Sequence, residues 1–316
     1  MVPLADPPAP IIIADYGASA GRNSLAPMKA AIGALRQRVG RDREISVIHT
    51  DLPENDFSAL FETLTRDPNS YLSGDAAVFP MAVGRSFYQQ ILPSCSATLG
   101  WSSWAAQWLS RVPAQIPDQI QVAYSRDPAA HAAYARQASE DWRVYLQSRG
   151  NELRPGGKLV VLTMARHANG DFGYRGVLEA MYAALLELTD SGFVSQEEAR
   201  RMLIPTVGRS RADLAEPFAR HGRFGDLSIE HLEMFDGEDW IWSKFERDGD
   251  AGGFGARWAA FSRASVFPTL ALGLNGAGND PRAHAFVDKL ETAMAARLAL
   301  KPEPMVIPLA IVVLTK

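Results

Sequence analysis

The sequence contains a single cysteine, Cys95, in 316 residues, which excludes an intramolecular disulfide framework and a metal site built from several thiolates. It lacks an apolar run of the ~18 residues that a membrane-spanning helix needs. Its first ten residues, MVPLADPPAP, lack the basic and long apolar regions of a secretory signal. The net charge of −4 and the absence of a Lys/Arg cluster argue against nucleic acid and anionic membranes as partners. We therefore expect a cytoplasmic protein that binds neither a nucleic acid nor a membrane.

The composition, 47% hydrophobic and 22% charged, is typical of a globular protein with one or two domains. Strand and helix patterns alternate up to Met164, which predicts an α/β fold with a parallel sheet and right-handed crossovers. Helical patterns dominate afterwards, and the segment 248–255 (DGDAGGFG) is predicted to be a flexible loop. We expect three units: a core of residues 10–165, a mainly helical cap of residues 166–304 with a core strand near 227–235, and a final core strand in residues 305–316.

Residues 11–24 (IIIADYGASAGRNS) begin as a buried strand and continue into a loop that contains two glycines. Three consecutive isoleucines leave no polar face, as in a central parallel strand that is covered on both sides. Asp15 ends this strand, and Gly17 and Gly21 let the backbone turn sharply and approach a ligand at the carboxyl end of the strand. A helical pattern follows in residues 25–39. The G-x-x-x-G spacing disfavours a dinucleotide and suits S-adenosyl-L-methionine (SAM), although the glycines could be plain turn residues and the acid a helix cap.

An acid also ends the second predicted strand, residues 44–50. A carboxylate at this position can accept both hydroxyls of a ribose, so Asp51 is a candidate ribose ligand unless it caps the next helix. We interpret His49, within the strand, as a packed histidine rather than a catalyst.

A third strand, predicted at residues 75–80, leads to a loop in which Ser86 could hydrogen-bond an adenine and Phe87 could cover its face. The alternative is an aromatic residue buried in the core. After the fourth predicted strand, residues 97–102, Trp104 and Trp108 are four residues apart, so on a helix they would share one face and form an aromatic wall. A role in the core is the alternative for these residues too.

These motifs, in this order, resemble the SABATH family of SAM-dependent methyltransferases, which methylate small carboxylic acids and, in some members, ring nitrogens. Seven segments carry the resemblance: ADYGASAGRN (14–23), DLPENDF (51–57), GRSFY (84–88), SSWAAQWLSRVP (102–113), LRPGGKLVVLT (153–163), IEHLEMF (229–235) and the Arg263-Ala264 pair. The resemblance implies a Rossmann-like class I methyltransferase sheet with a mainly helical cap, and SAM as the cofactor.

The resemblance also implies roles for particular residues. Seven of them would form the cofactor site: Asp15 and Gly17 at the methionine end of SAM with Asn23 nearby, Asp51 at the ribose, and Leu52, Ser86 and Phe87 at the adenine. In the acceptor pocket, Trp108 would donate its indole N–H to the substrate carboxylate and Gln107 would shape the pocket. Trp104 stands where the family usually has a tyrosine.

Two departures from the family concern the acceptor. Members usually carry several tens of residues before the first strand, which cover the cofactor, whereas only MVPLADPPAP precedes Ile11 here. We expect either an upstream start or a more open site. Leu178 falls about where plant members that take small aromatic acids carry a tryptophan, which leaves the acceptor open.

The predicted function is methyl transfer from SAM to the carboxylate of a small-molecule acid, giving a methyl ester. A carboxylic acid with a pKa near ~4 is already ionised at pH 7, so we expect neither a catalytic base nor a metal. A homodimer is left open. The alternatives are N- or O-methylation of a heteroaromatic or phenolic metabolite, for which His167 is the only candidate base, and a SAM-binding protein without turnover.

Overall fold

The computed structural model describes residues 11–316 and contains one sheet of seven strands. The strands are β1 (Ile11–Tyr16), β2 (Ile45–Asp51), β3 (Val78–Gly84), β4 (Ala97–Ser103), β5 (Leu153–Met164), β6 (Ser228–Asp236) and β7 (Pro308–Thr315). Their order is β3-β2-β1-β4-β5-β7-β6. Strands β1 to β5 run parallel, and β7 is antiparallel to its neighbours β5 and β6. The predicted α/β fold is therefore confirmed.

Ten α-helices occur in the described part of the chain. They are α1 (Leu25–Val39), α2 (Phe57–Arg66), α3 (Pro128–Glu152), α4 (Arg175–Asp190), α5 (Gln196–Arg201), α6 (Arg211–Ala215), α7 (Trp240–Asp248), α8 (Ala251–Ser265), α9 (Phe267–Ala271) and α10 (Ala283–Leu300). No helix in residues 11–316 is both long and apolar enough to cross a membrane. The division into a core of residues 10–165 and a cap of residues 166–304 stays a prediction, and its first residue and the MVPLADPPAP segment lie outside the described residues.

Strand β1 lies in the middle of the sheet, between β2 and β4. Ile13 and Ala14 are wholly buried, as the isoleucine-rich sequence predicts. The chain adds β2 and β3 on one side of β1 and then crosses to place β4 and β5 on the other side. In open α/β sheets a crevice forms where the strand order reverses in this way, at the carboxyl ends of the strands. The fold therefore places a ligand crevice beside the loops that follow β1 and β4.

The third strand begins later than predicted. Strand β3 starts at Val78, whereas the prediction began at Asp75. The Asp75 carboxylate instead accepts hydrogen bonds from Nε and Nη2 of Arg36 in α1, at 2.7 and 3.0 Å. Because that ion pair holds the acid in the turn, the strand forms only after it.

The segment 248–255, predicted as a flexible loop, forms the start of α8 instead. Asp250 caps this helix, and its Oδ1 accepts a hydrogen bond from the N–H of Gly253 at 2.8 Å. A side chain at Gly255 would have its Cβ 2.2 Å from the carbonyl oxygen of Ala295 in α10. The glycine at this position therefore allows close helix packing, and the loop prediction was wrong.

Candidate functional site

The loop after β1 is tied to the end of β2 by backbone hydrogen bonds. The carbonyl oxygen of Thr50 accepts from the N–H groups of Gly17 and Ala18, at 2.9 and 3.0 Å. Gly17 has a φ of +89°, and a Cβ there would lie 2.5 Å from the Cβ of Ala105 in the loop after β4. The sharp turn matches the sequence prediction, and the close approach of Ala105 leaves no room for a side chain at Gly17.

Asp51 ends β2 with both carboxylate oxygens already held by backbone groups. Its Oδ2 accepts from the N–H of Ser19 at 2.7 Å, and its Oδ1 accepts from the N–H of Leu52 at 2.8 Å. Asp51 does not cap the next helix, because Asp56 has that role and accepts from the N–H of Ala59 at 2.9 Å. A carboxylate oxygen has a second lone pair, so each can still accept a ligand hydroxyl. Half of the Leu52 surface is exposed.

Asp15 is almost wholly buried at the carboxyl end of β1, at 2% exposure. Its Oδ2 lies 2.7 Å from Nδ1 of His49, and Nε2 of that histidine lies 2.7 Å from the hydroxyl of Tyr71. His49 is therefore a packed histidine, as the sequence analysis interpreted it, but it packs directly against a predicted site residue.

A cavity of about 580 Å³ opens beside these loops. On the side of the β1 loop its wall is mostly polar, with Asp15, Gly17, Ala18, Ser19, Asn23 and Ser24. The opposite wall is mostly apolar and comes from β5, α4, α8 and the connecting segments, with Trp104, Trp108, Met164, Phe172, Tyr174, Val177, Leu178, Met181, Ile204, Phe261 and Val266. The predicted cofactor loop and the predicted acceptor residues thus share one cavity.

Asp15 is the only ionisable carboxylate in the lining of this cavity, and no lysine, arginine or histidine of residues 11–316 lines it. The same described range contains no group of three or more His, Cys, Asp or Glu side chains placed to hold a metal ion. The cavity is therefore anionic on one side and apolar on the other.

The two predicted acceptor tryptophans line the cavity, but the segment that carries them is not the helix that their spacing suggested. Trp104 has a φ of +56°, and Trp108 closes a turn through its N–H to the carbonyl oxygen of Ala105 at 3.0 Å. Gln107 donates from Nε2 to the Trp104 carbonyl at 2.6 Å and accepts at Oε1 from the Thr163 hydroxyl at 3.1 Å. The glutamine amide is thus occupied within the protein and supports the tryptophan loop. Because residues 104–108 form a turn and not a helix, the helix interpretation was wrong.

The loop with Ser86 and Phe87 lies outside the cavity lining, beside Asp51, because β3 ends opposite that acid. A buried ion pair holds the loop in place. Arg149 donates from Nη1 to the Phe87 carbonyl at 2.5 Å and pairs through Nη2 with Glu152 at 2.7 Å, and both charged side chains are wholly buried. Four predicted cofactor residues, Asp51, Leu52, Ser86 and Phe87, therefore lie outside the cavity lining, at or just after the carboxyl ends of β2 and β3.

Several lining residues were missed by the sequence analysis because they come from distant segments. Phe172, Ile204 and Phe261 belong to this group, and the only signal near them was the Arg263-Ala264 pair, whose alanine lines the cavity. His167 lies outside the lining and its Nε2 is 2.7 Å from Oδ1 of Asp236 in a partly exposed pair. The candidate base of the phenol alternative is therefore not at this cavity.

The strand order, the switch point beside β1 and the cavity on its loops define a Rossmann-like methyltransferase fold. Residues 2–311 match the family model described as SAM dependent carboxyl methyltransferase, and the chain belongs to that family. The SABATH resemblance, the class I methyltransferase fold and SAM as the cofactor are thereby confirmed.

Two relatives agree with this assignment, and a solved structure shares the fold. The chain is 29% identical over 253 residues to a salicylate carboxymethyltransferase of Clarkia breweri, which covers 77% of this chain and 68% of that protein. It is 30% identical over 208 residues to methyltransferase LUC1 of a Fusarium species, covering 65% of this chain and 54% of that one. The structure of a loganic acid methyltransferase with SAH superposes with a TM-score of 0.75 at 20% identity, over 98% of this chain and 86% of the other.

Proposed function

We propose that this chain transfers a methyl group from SAM to the carboxylate of a small-molecule acid and so forms a methyl ester. The observation that carries the proposal is the division of one cavity into a side with a single anionic residue, Asp15, and an apolar side that holds two indoles and no basic group. The first side suits a cationic cofactor, and the second suits an apolar acceptor whose reacting group needs no deprotonation. Family membership supports the same activity.

In this proposal the cofactor is held by the residues at the carboxyl ends of β1, β2 and β3. Asp15, Gly17 and Asn23 hold the amino-acid end of SAM, where the Asp15 carboxylate complements the positive charges of the ammonium and sulfonium groups. Asp51 accepts from the ribose hydroxyls, and the loop fixed by Arg149 covers the adenine. When bound, SAM supplies a sulfonium whose methyl group is the electrophile. The three residues assigned to the adenine lie outside the cavity lining: Leu52, Ser86 and Phe87.

The acceptor carboxylate is held by hydrogen bonds rather than by an ion pair. Trp104 and Trp108 line the cavity, and neither indole N–H has a hydrogen-bond partner within the part of the chain that the structure describes. Gln107 contributes by fixing the Trp104 carbonyl. Such a site positions an acid that is already ionised and removes its water, and alignment of two bound reactants can lower a barrier by roughly 7–11 kcal/mol.

The rival activities differ in what the cavity would have to supply. Methylation of a phenol calls for a base near the acceptor, and His167 is paired with Asp236 away from the cavity. Methylation of a ring nitrogen and SAM binding without turnover remain outcomes of the test below. Cytoplasmic localisation and a homodimer also stay proposals, and light scattering of the purified protein measures the second.

The test is a methyl-transfer screen with methyl-labelled SAM over free aromatic, aliphatic and terpenoid acids, with their amides and with purine and phenol acceptors as comparisons. We expect labelled methyl esters from acids that have a sizeable apolar body, and no product from the matching amides. Product on the purines or phenols alone would replace the proposed acceptor, and SAM binding in calorimetry without any product would indicate a protein without turnover.

Replacing Trp108 by Phe tests the carboxylate contact, because it keeps an aromatic ring and removes the indole N–H. One hydrogen bond to a charged group is worth roughly 1.5–3 kcal/mol, so we expect acid kcat/KM to fall about tenfold or more with SAM affinity unchanged. Trp240→Phe is the matched control, since Trp240 is 58% exposed and lies outside the cavity lining. Wild-type acid kinetics in a folded Trp108→Phe protein would contradict the assignment.

A further inference from the structure

A buried chain of three side chains connects the carboxyl end of β1 to the segment after α2. His49 is wholly buried on β2, with Asp15 at Nδ1 and Tyr71 at Nε2, and both contacts are 2.7 Å long. Tyr71 is 3% exposed, and its ring is inclined by 29° to the imidazole, with the two centroids 5.9 Å apart. The histidine therefore has a single partner at each ring nitrogen.

The direction of the hydrogen bonds follows from the chemistry of the two ends. A carboxylate can only accept, so Nδ1 carries the hydrogen that lies between His49 and Asp15. Burial, and after it the negative charge of Asp15, raises the pKa of Tyr71 far above its usual value, so the phenol keeps its proton and donates it to Nε2. In a neutral imidazole the remaining hydrogen then lies on Nδ1. It points at Oδ2 of Asp15, which accepts it. The chain thus ends in a donor that is aimed at one oxygen of the carboxylate.

We propose that His49, backed by Tyr71, is a positioning residue for SAM: it binds Oδ2 of Asp15 and so orients the carboxylate with Oδ1 available to the cofactor. Asp15 lines the cavity, and Oδ1 has no hydrogen-bond partner among residues 11–316. A partner held by a further hydrogen bond loses little freedom on ligand binding, as with the outer residues that orient metal ligands. The inference rests on the proposed role of Asp15 in the cofactor site.

If His49 served packing alone, its substitutions would rank differently in their effect on SAM affinity. The amide nitrogen of an asparagine can occupy the position of Nδ1, so His49→Asn keeps a donor for Asp15. The longer glutamine places its amide near Nε2, so His49→Gln keeps a partner for Tyr71 and loses the one for Asp15. For packing, asparagine is the worse replacement because it is smaller and leaves the larger void.

The experiment is calorimetric titration of His49→Asn, His49→Gln and His49→Leu with SAM and with S-adenosylhomocysteine, on protein shown to be folded by its thermal unfolding. We expect Gln and Leu to weaken SAM binding about tenfold or more and Asn to stay within about threefold of wild type. The loss of one charge-assisted hydrogen bond reduces affinity by about tenfold or more. The reverse order, with Asn weakest and Gln near wild type, would overturn the proposal in favour of packing.

A double-mutant cycle separates this inference from the proposed function. If His49 acts through Asp15, His49→Gln weakens SAM binding in the wild type and adds nothing to Asp15→Asn. Additive effects would show that the histidine acts independently and would overturn the positioning role alone. Unchanged SAM affinity in Asp15→Asn would instead remove Asp15 from the cofactor site, and a wild-type protein that does not bind SAM would refute the proposed function itself.

Discussion

At the scale of single residues, hydrogen bonds within the protein hold the side chains of the candidate cofactor site in place. Asp51 has two short hydrogen bonds from backbone N–H groups, one of them from Ser19 in the loop after β1. Asn55 also reaches this loop and donates from Nδ2 to the Ser19 carbonyl at 3.0 Å. Because these contacts already fix the carboxylate, little of its conformational entropy has to be lost when a diol binds.

Asp51→Asn and Asp51→Ala separate the charge from the contact. Asn keeps one oxygen as an acceptor, whereas Ala also frees the N–H of Ser19. Charge-assisted hydrogen bonds are worth roughly 1.5–3 kcal/mol each, so we expect SAM affinity to fall about tenfold in Asn and further in Ala. Calorimetry on folded protein measures both. Equal affinities in all three proteins would exclude Asp51 from ribose binding.

The sequence allowed the residues at the ends of β1, β2 and β4 to be predicted as site candidates, because parallel strands end at one edge of the sheet. It did not allow the state of each side chain to be predicted. The amide of Gln107 is occupied by Thr163, which is 56 residues further along the chain. Partners so distant in sequence leave no local pattern, and the same holds for Tyr71, which contacts Nε2 of His49 from the segment after α2.

At the scale of secondary structure, side-chain caps mark the helix starts better than the positions of glycines do. Asp56, Asp127 and Asp250 each cap a helix through a side-chain oxygen. The cap at Asp250 was overlooked because the following glycines are typical of a loop. Gly255 is required by tertiary packing, because it contacts the backbone of α10. Such packing cannot be inferred from one segment alone.

Helix α5 supplies a stability prediction. Glu198 completes a capping box with Ser195 and pairs with Arg282 just before α10. The Arg282 hydrogen bond is the main cause that lowers the Glu198 pKa from 4.5 to about 2. A carboxyl group whose pKa is lower in the folded than in the unfolded protein stabilises the fold at pH values above its unfolded-state pKa. This contribution is lost as the pH falls through the folded-state pKa.

We therefore expect the free energy of unfolding of the wild type to fall between pH 4.5 and about 2 by more than that of Glu198→Gln. Urea unfolding of both proteins over this pH range measures the difference, and carboxylates that contact neither Glu198 nor Arg282 cancel between them. Parallel pH profiles would contradict a role for Glu198 ionisation.

At the scale of the whole molecule, the strand order explains why segments far apart in sequence meet at one cavity. The switch between β1 and β4 opens a crevice, and α4 and α8, which follow the parallel strands, supply its apolar wall. Alternation of strands and helices predicted the sheet, and the resemblance predicted the family. The shape of the acceptor wall could not be predicted, because it depends on how the later helices pack over the sheet.

Three of the seven tryptophans line this cavity: Trp101, Trp104 and Trp108. The intrinsic tryptophan fluorescence of the protein should therefore respond to ligands that bind there. An apolar acid that displaces water from the two acceptor indoles should shift the intrinsic fluorescence emission to shorter wavelengths. Trp240→Phe should keep this shift, and the double variant Trp104→Phe/Trp108→Phe should lose it. Titration by emission would then rank acceptors by affinity without labelled cofactor and without turnover.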